Sequence, residues 1–372
     1  MRVRIGAAVV ALACALCIAL QLHADERWTF DGFAYTLRAE LDAGIPYARA
    51  HATARALYAR RAAFATPAQR AWLDAPEPQW WRLFAVRAIY PWLASRLWPW
   101  LGAQSLFAIS GLAYVAAGLA LYAMLLRFAR PSIAAGCALL TMLLPESRLI
   151  GRSNLTDMLG DALWIATLLA MMRYADRPRS GALFVVALAA TALAFTRPVP
   201  YMPLVSALAL AAAGYPRRAL PLIALLAALC ALVVGVMWAA HADVPTTPAY
   251  LAQLRAAGVV TLEWFVGSLA GPLGLYALVA ARGRSDVALA LGACASALPT
   301  LLLNPLPTDV LRVVALPLLP VVACGVALAA ERAASHQGVA RGDEYMTACS
   351  GSVSTLAERR SRSPRSTSAA RR

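Results

Sequence analysis

The feature that most constrains this chain is a series of long apolar stretches separated by short polar segments. The first, "IGAAVVALACALCIALQL" at residues 5–22, contains no charged residue. A helix needs about 20 apolar residues to cross the hydrocarbon of a bilayer. Hydrophobic residues make up 61% of the 372 in the chain, more than a soluble fold of this length can bury. The sequence therefore predicts an all-α, polytopic membrane protein.

We predict about ten transmembrane helices. They are residues 5–22, 104–126, 132–144, 158–172, 181–196, 201–213, 219–240, 259–281, 287–303 and 310–330. The first could instead be a cleaved signal peptide, but its poor cleavage context favours an uncleaved anchor. Residues 201–213 reach only about 20 Å as a helix, so this segment is either one of a pair of short or broken helices or a span with misplaced boundaries.

The distribution of arginine predicts the orientation. Alternate loops carry "RFARP", "RYADRPRSG", "YPRR" and "RGRSD", whereas the loops between them are poor in basic residues. By the positive-inside rule both termini are cytoplasmic and residues 23–103 form a long extracytoplasmic loop. Residues 1–330 would then be one transmembrane domain, and residues 331–372 a disordered, basic cytoplasmic tail. All 34 basic residues are arginine, which favours a GC-rich bacterium and its inner membrane.

The loop after the first span begins with an acidic and aromatic segment, "DERWTFDGFAYTLRAELDAGIPY". We predict a helix that ends at Gly44 and lies at the membrane surface, with Phe33, Tyr35 and Leu37 making apolar contacts. Asp31 and Tyr35 are four residues apart and would share one face of that helix. An ordinary amphipathic interfacial helix with a solvated charged face explains the same pattern.

Several charged residues lie within or at the ends of the predicted spans. Such a charge costs roughly 2.5–3.5 kcal/mol at the centre of a membrane helix and is usually paired or functional. The candidates are Asp157, Asp161, Arg197, Glu263 and Arg312. Thr156 or Asn154 could cap the fourth span, and Asp157 could serve only to favour that helix N-terminus. Because His23, His51 and His241 are scattered, we predict no metal site.

Five segments together resemble the GT-C class of integral-membrane glycosyltransferases, which includes protein mannosyltransferases, aminoarabinose transferases and bacterial relatives. The first is Asp31-x-x-x-Tyr35-x-x-x-Ala39, where Gly32 replaces the Glu of the usual Asp-Glu-x-x-Tyr pattern. The others, in chain order, are "RAIYPWLA", "SNLTDMLGDALW", "LAFTRPVPYMPL" and "RVVALPLLPVVACGVALAA". The resemblance covers most of residues 1–330.

The resemblance implies a polyprenyl-phosphate-linked sugar donor, an extracytoplasmic lipid or glycan acceptor, and no cofactor. Asp31 matches the catalytic Asp of the family and would be the general base, with Tyr35 beside it and Asp25 as the second choice. Arg312, and after it Arg197, would hold the donor phosphate, because a guanidinium binds two oxygens and keeps its charge. Asp157, with Asp161 and Glu263 as further candidates, would bind the acceptor or support the site.

Two other functions remain open. Charges at mid-membrane and broken helices are also typical of transporters and flippases, although the long loop rich in carboxylates and aromatics favours an enzyme. The glycine at position 32 and the modest length are compatible with a non-catalytic relative.

Overall fold

The computed structural model describes residues 1–22, 28–61, 86–239, 250–267, 270–303 and 318–335, and all regular elements in these residues are helices. The helices are α1 (Arg2–Leu22), α2 (Phe30–Asp42), α3 (Tyr47–Arg61), α4 (Ile89–Leu101), α5 (Gln104–Leu125), α6 (Pro131–Leu143), α7 (Pro145–Gly151), α8 (Asp157–Asp176), α9 (Ser180–Thr196), α10 (Tyr201–Ala212), α11 (Pro216–Ala239), α12 (Tyr250–Gly267), α13 (Ala270–Ala280), α14 (Ser285–Ala295), α15 (Ala297–Leu303) and α16 (Leu318–Ser335). The prediction of an all-α fold is confirmed for these residues.

Helix α8 lies at the centre of the bundle. It packs against α5, α9, α11 and α14, and it buries side chains on all of its faces, among them Met158, Trp164 and Leu168. A helix that is apolar all round is buried inside a large protein or a membrane bundle. Because α8 extends through the bundle, its first and last residues report on opposite ends of the molecule.

The outer surface of the bundle is apolar. On α1, which packs against α5 and α6, the side chains of Leu12, Leu16 and Leu20 are more than half exposed, and on α11 Trp238 is 81% exposed. Soluble monomers rarely leave such continuous apolar surface in water. This surface fits helices that face lipid, in line with the predicted membrane protein.

Five helical segments of the described chain are long and apolar enough to cross a membrane. They are residues 2–20, α5, α11, α14 with α15, and α16; counting each of two bent helix pairs as one span gives up to seven. Helix α5 matches the predicted span 104–126 to within one residue. The number ten and the extracytoplasmic side of residues 23–103 stay predictions.

One predicted span and one predicted loop differ from the structure. Residues 259–281 are not one straight helix, because α12 and α13 meet at a 78° bend, and the predicted loop after residue 144 contains α7, which follows α6 at 67°. In the second bend, Pro145 begins α7; proline favours the first turn of a new helix and disfavours helical backbone in the residue before it. Helix α10 has only 12 residues, so the short element predicted there is confirmed.

The four basic loops meet at one end of the bundle, which we call the arginine-rich end. Arg127 contacts Asp176 at 2.8 Å and Asp286 at 3.6 Å, and Arg218 donates to the carbonyl of Ala175 at 2.8 Å. The hydroxyl of Tyr215 donates to the carbonyl of Gly283 in another of these loops at 2.5 Å. The loops that the positive-inside rule assigns to the same side are therefore neighbours in space.

Helices α2 and α3 form a hairpin against α4 and the start of α5. The Thr29 hydroxyl accepts from the Gly32 amide at 3.3 Å and caps α2, and Gly44 at φ 86° reverses the chain. Phe33 and Leu37 are fully buried, in a cluster that includes Tyr58. The predicted helix is confirmed, but the apolar face expected to contact the membrane packs on protein instead. The reason is that α3 and α5 supply enough apolar surface to cover it.

Candidate functional site

The candidate site lies where α2 meets the segment before α8. The carboxamide oxygen of Asn154 accepts from the Thr29 amide at 2.9 Å and from the Thr29 hydroxyl at 3.0 Å, and its nitrogen donates to the hydroxyl of Tyr58. A Cβ at position 32 would overlap this carboxamide. Gly32 is therefore required by the packing of α2, which gives a physical reason for its departure from the Asp-Glu-x-x-Tyr pattern.

Tyr35 joins three separate parts of the chain. The Nη1 of Arg87 donates to its hydroxyl at 2.8 Å, and Thr156 lies 3.1 Å from the same hydroxyl. The Tyr35 oxygen accepts from Arg87, and either hydroxyl can donate in the bond between Tyr35 and Thr156. Burial raises the pKa of Tyr35, although Arg87 lowers it, so the phenol stays neutral. The side chain of Tyr35 is 1% exposed.

The expected capping role of Thr156 and Asn154 is wrong. Thr156 is the N-cap residue of α8, but its side chain makes no capping hydrogen bond. It bonds Tyr35 instead, while Asn154 bonds Thr29 and Tyr58. Both polar side chains thus attach α2 to the bundle. A buried hydroxyl or amide group needs a hydrogen-bond partner, and here the nearest partners are on α2, α3 and the residue before α2.

Asp31 is partly exposed at the start of α2, and its negative charge acts on both Tyr35 and Arg87. Burial lowers the pKa of Arg87, but Tyr35, Asp31 and Asp157 together outweigh burial and raise it. A partly buried guanidinium therefore stays charged beside Asp31, which solvent can reach.

Asp157 and Arg197 form a buried ion pair on the inner side of this cluster. Their Oδ1 and Nη2 atoms are 2.8 Å apart, and the side chains are 1% and 11% exposed. Arg197 follows the last residue of α9, and its side chain lies across Gly160, where a Cβ would come within 3.1 Å of the Arg197 Cδ. Asp161, one turn further along α8, is 6% exposed and interacts with the same arginine.

These residues form a row of alternating charges that we call the charge row. In order it consists of Asp31, Arg87, Asp157, Arg197 and Asp161. Each arginine lies between two carboxylates, so the attraction between neighbours offsets part of the cost of burial. The row starts at the partly exposed Asp31 and ends inside the bundle.

The other predicted site residues lie elsewhere. Asp25, Arg312, His23 and His241 are outside the described residues, as is the tail beyond Ser335. Glu263 is exposed on α12, which packs against α13 and α15. His51 packs against Phe33 and Tyr47. In the described part of the chain, no three His, Cys, Asp or Glu residues are grouped closely enough to hold a metal ion.

The sequence reasoning did not single out Arg87, although this residue contacts Tyr35 and lies beside two candidate carboxylates. A signal was present, because Arg87 is the first residue of "RAIYPWLA", a segment already selected by resemblance. The cost of burying a charge in the membrane singles out arginines in the predicted spans, and it does not apply to an arginine in the long loop.

Comparison of the chain with protein-family models, with curated proteins and with solved structures finds no match in any of the three. The GT-C resemblance therefore rests on the motifs alone.

Proposed function

We propose that this protein is a membrane glycosyltransferase that moves a sugar from a polyprenyl-phosphate donor to an extracytoplasmic lipid or cell-envelope glycan. The observation that carries the proposal is the proximity of Asp31 to Arg87. A partly exposed carboxyl group lies near a partly buried guanidinium that keeps its charge. Sugar transfer from a phosphate needs these two groups, a base for the incoming hydroxyl and a cation for the departing phosphate.

In the proposed reaction the acceptor hydroxyl oxygen attacks the anomeric carbon of the sugar. Its proton goes to the carboxylate of Asp31. The bond between the anomeric carbon and the phosphate oxygen breaks, and its electron pair stays on the phosphate. The guanidinium of Arg87 stabilises the charge that develops there, together with Arg312 if the segment that carries it reaches the donor.

Arg197 has a different part in this proposal from Arg87. Its guanidinium is already paired with Asp157 at 2.8 Å, and a phosphate would have to compete with that carboxylate. Asp157 and Arg197 therefore support the position of α8 and its Thr156, and through Thr156 that of Tyr35. Asp25 remains the alternative base.

The orientation is part of the proposal. Asp157 at the start of α8 belongs to the charge row, and Asp176 at its end contacts Arg127 at the arginine-rich end. Twenty helical residues span about 30 Å, the thickness of the bilayer hydrocarbon. With the arginine-rich end in the cytoplasm of a bacterium, Asp31 lies at the outer surface of the inner membrane, where lipid-linked sugars are used.

The second candidate is a transporter or flippase. The two bent helix pairs, at 67° and 78°, and the buried Asp161 favour it, because broken helices and intramembrane carboxylates line transport paths. Proteoliposomes carrying a labelled lipid-linked sugar distinguish the two functions. A transporter moves the intact lipid between leaflets, whereas a glycosyltransferase cleaves the sugar from the phosphate.

The test of the proposed function is the substitution Asp31→Asn in the full chain, purified into lipid nanodiscs. Asn keeps the size of the side chain but cannot accept the proton, so transfer from polyprenyl-phosphate sugars should fall by at least ~10²–10⁴-fold. Asp42→Asn is the matched control on the same helix, because Asp42 lies in the last turn of α2 and pairs with the partly exposed Arg38 at 2.9 Å. Sugar transfer is measured by mass spectrometry of the lipid products.

Asp25→Asn is made in parallel. If that variant is inactive and Asp31→Asn is active, the base is Asp25. If both transfer sugar at the wild-type rate, and deletion of the gene leaves envelope glycans and lipid-linked sugars unchanged, the proposed function is wrong.

A further inference from the structure

A small pocket lies at the inner end of the charge row, between α8 and the break that joins α9 to α10. Its wall is mostly apolar, with Trp164, Leu193, Val199 and Met202, and its charged groups are Asp161 and Arg197. The transfer reaction proposed above assigns no role to Asp161. The negative charge of a carboxylate at this buried position would need a cation or a proton to compensate it.

Asp161 is 6% exposed, and its Oδ1 accepts no hydrogen bond from the residues that the structure describes. The nearby guanidinium of Arg197 points to Asp157 instead, at 2.8 Å. A carboxyl group that is buried in apolar surroundings and leaves one oxygen without a hydrogen bond is stabilised by taking up a proton, unless a nearby cation pairs with it. A metal ion would need several more oxygen ligands than this apolar wall offers.

Asp157 and Asp161 are four residues apart on α8, so both carboxyl groups lie on the same face. Between them is Gly160, and the side chain of Arg197 lies over it, with a hypothetical Cβ only 3.1 Å from its Cδ. The missing side chain at position 160 leaves a groove in which the guanidinium can pair with either carboxyl group. Arg197 therefore has two carboxyl groups within reach, of which Asp157 also lies beside Arg87.

We propose that Asp161 is a proton-binding site, neutral while Arg197 pairs with Asp157 and ionised when Arg197 turns to Asp161. The reaction is a simple proton release, from the carboxylic acid of Asp161 to its carboxylate. The charged groups that face it are Asp157 on the same helix and Arg197 after α9. The proton thus decides which carboxylate holds Arg197, and this holds whether the protein transfers sugars or transports them.

Infrared spectroscopy of the full chain in nanodiscs at neutral pH tests this site. Aspartate labelled with carbon-13 at the side-chain carboxyl identifies the C=O band of a protonated aspartic acid. We expect that band in the wild-type protein and its loss in Asp161→Asn. Asp176→Asn is the control, because Asp176 is 45% exposed and paired with Arg127, and it should leave the band unchanged.

Asp157→Asn gives an independent result, because Arg197 then loses the carboxylate with which it pairs at 2.8 Å and can turn to Asp161. The protonated band should disappear in this variant although Asp161 is still present. A wild-type protein without the band, a band that survives Asp161→Asn, or a band that persists in Asp157→Asn overturns the proposal. If Asp161→Asn does not fold, the wild-type and Asp157→Asn spectra decide by themselves.

Discussion

Among single residues, Arg87 connects the most separate parts of the candidate site. It donates to Tyr35 on α2 at 2.8 Å and acts electrostatically on Asp31 and Asp157. The side chain is partly buried, and its Nη1 is held by the hydrogen bond to Tyr35. Its planar guanidinium could present two parallel N–H groups to a phosphate, which a lysine ammonium cannot do.

We expect Arg87→Lys to weaken binding of the lipid donor without unfolding the protein. The charge remains, but a charge-assisted hydrogen bond, about 1.5–3 kcal/mol, is lost, which corresponds to about 10–100-fold in affinity. Donor binding to purified protein is measured by isothermal titration calorimetry. Arg96→Lys on α4 is the control, since Arg96 is exposed over the ring of Trp92. Equal affinity in both variants would exclude Arg87 as a donor ligand.

At position 32 we expect even the smallest side chain to be destabilising. Gly32→Ala should lower the free energy of unfolding by about 1–3 kcal/mol, because its Cβ overlaps the Asn154 carboxamide. Asn154→Ala removes the obstacle but also the hydrogen bonds to Thr29. The loss in the free energy of unfolding of the double variant should therefore be smaller than the sum of the losses of the two single variants.

Thermal unfolding in detergent measures this cycle. Gly136→Ala on α6 is the matched control, because nothing lies within 4 Å of a Cβ there and alanine favours the helix. If the loss of stability in the double variant equals the sum of the losses in the two single variants, Gly32 and Asn154 do not interact.

Among the elements, the α2–α3 hairpin determines where Asp31 lies, and it contains a buried acid of its own. Glu40 is 2% exposed, and its Oε2 has no hydrogen-bond partner in the described residues. Burial raises the pKa of Glu40 to about 7, although Arg49 lowers it. The folded protein thus binds this proton more tightly than the unfolded chain, whose glutamates titrate near pH 4.5.

We expect the wild-type protein to lose stability as the pH rises from about 4.5 to about 7. In this range the unfolded chain has released the Glu40 proton and the folded protein still holds it. Raising the pH therefore lowers the free energy of unfolding. The loss attributable to Glu40 is about 1–3 kcal/mol. Melting temperatures across this pH range are compared with those of Glu40→Gln, in which the loss should be absent. Parallel pH profiles for the two proteins would show that Glu40 does not contribute.

The elements also show what the sequence could predict. Helix α5 was placed to within one residue, because a change from polar to apolar residues marks each end of a buried helix. The bend between α12, which ends at Gly267, and α13, which begins at Ala270, was missed, because residues 259–281 contain a single charged residue, Glu263, and no polar segment that marks a break. The contact of Tyr35 with Arg87 and Thr156 was also missed, because 52 and 121 residues separate these partners and no local pattern records such contacts.

For the whole molecule, the charges are divided between two ends joined by α8. The arginine-rich end contains ion pairs such as Arg284 with Asp286 at 2.6 Å, and the amide of Arg130 donates to Glu331 at 2.8 Å. The charge row lies at the other end. Between them the described bundle is largely apolar, as a protein that crosses a membrane requires.

We expect topology reporters to show two sides that match these two ends. Fusions after Ala48 and Pro248 should be extracytoplasmic, and fusions after Arg179 and Ala340 cytoplasmic. Alkaline phosphatase is active only outside the cytoplasm and green fluorescent protein only inside it, so each fusion is read by both reporters. A cytoplasmic signal at Ala48 would reverse the orientation and remove Asp31 from the outer surface.

The attachment of α2 to Asn154 has a consequence for biosynthesis. Thr29 and Asn154 are 125 residues apart, and a ribosome adds about 5–20 residues per second, so the partner of Thr29 emerges roughly 6–25 s later. During that time α2 has left the ribosome without Asn154 and Thr156, which later bond Thr29 and Tyr35. The amphipathic helix can rest on the bilayer in this interval. The membrane then acts as a temporary partner for α2 until the segment before α8 is made.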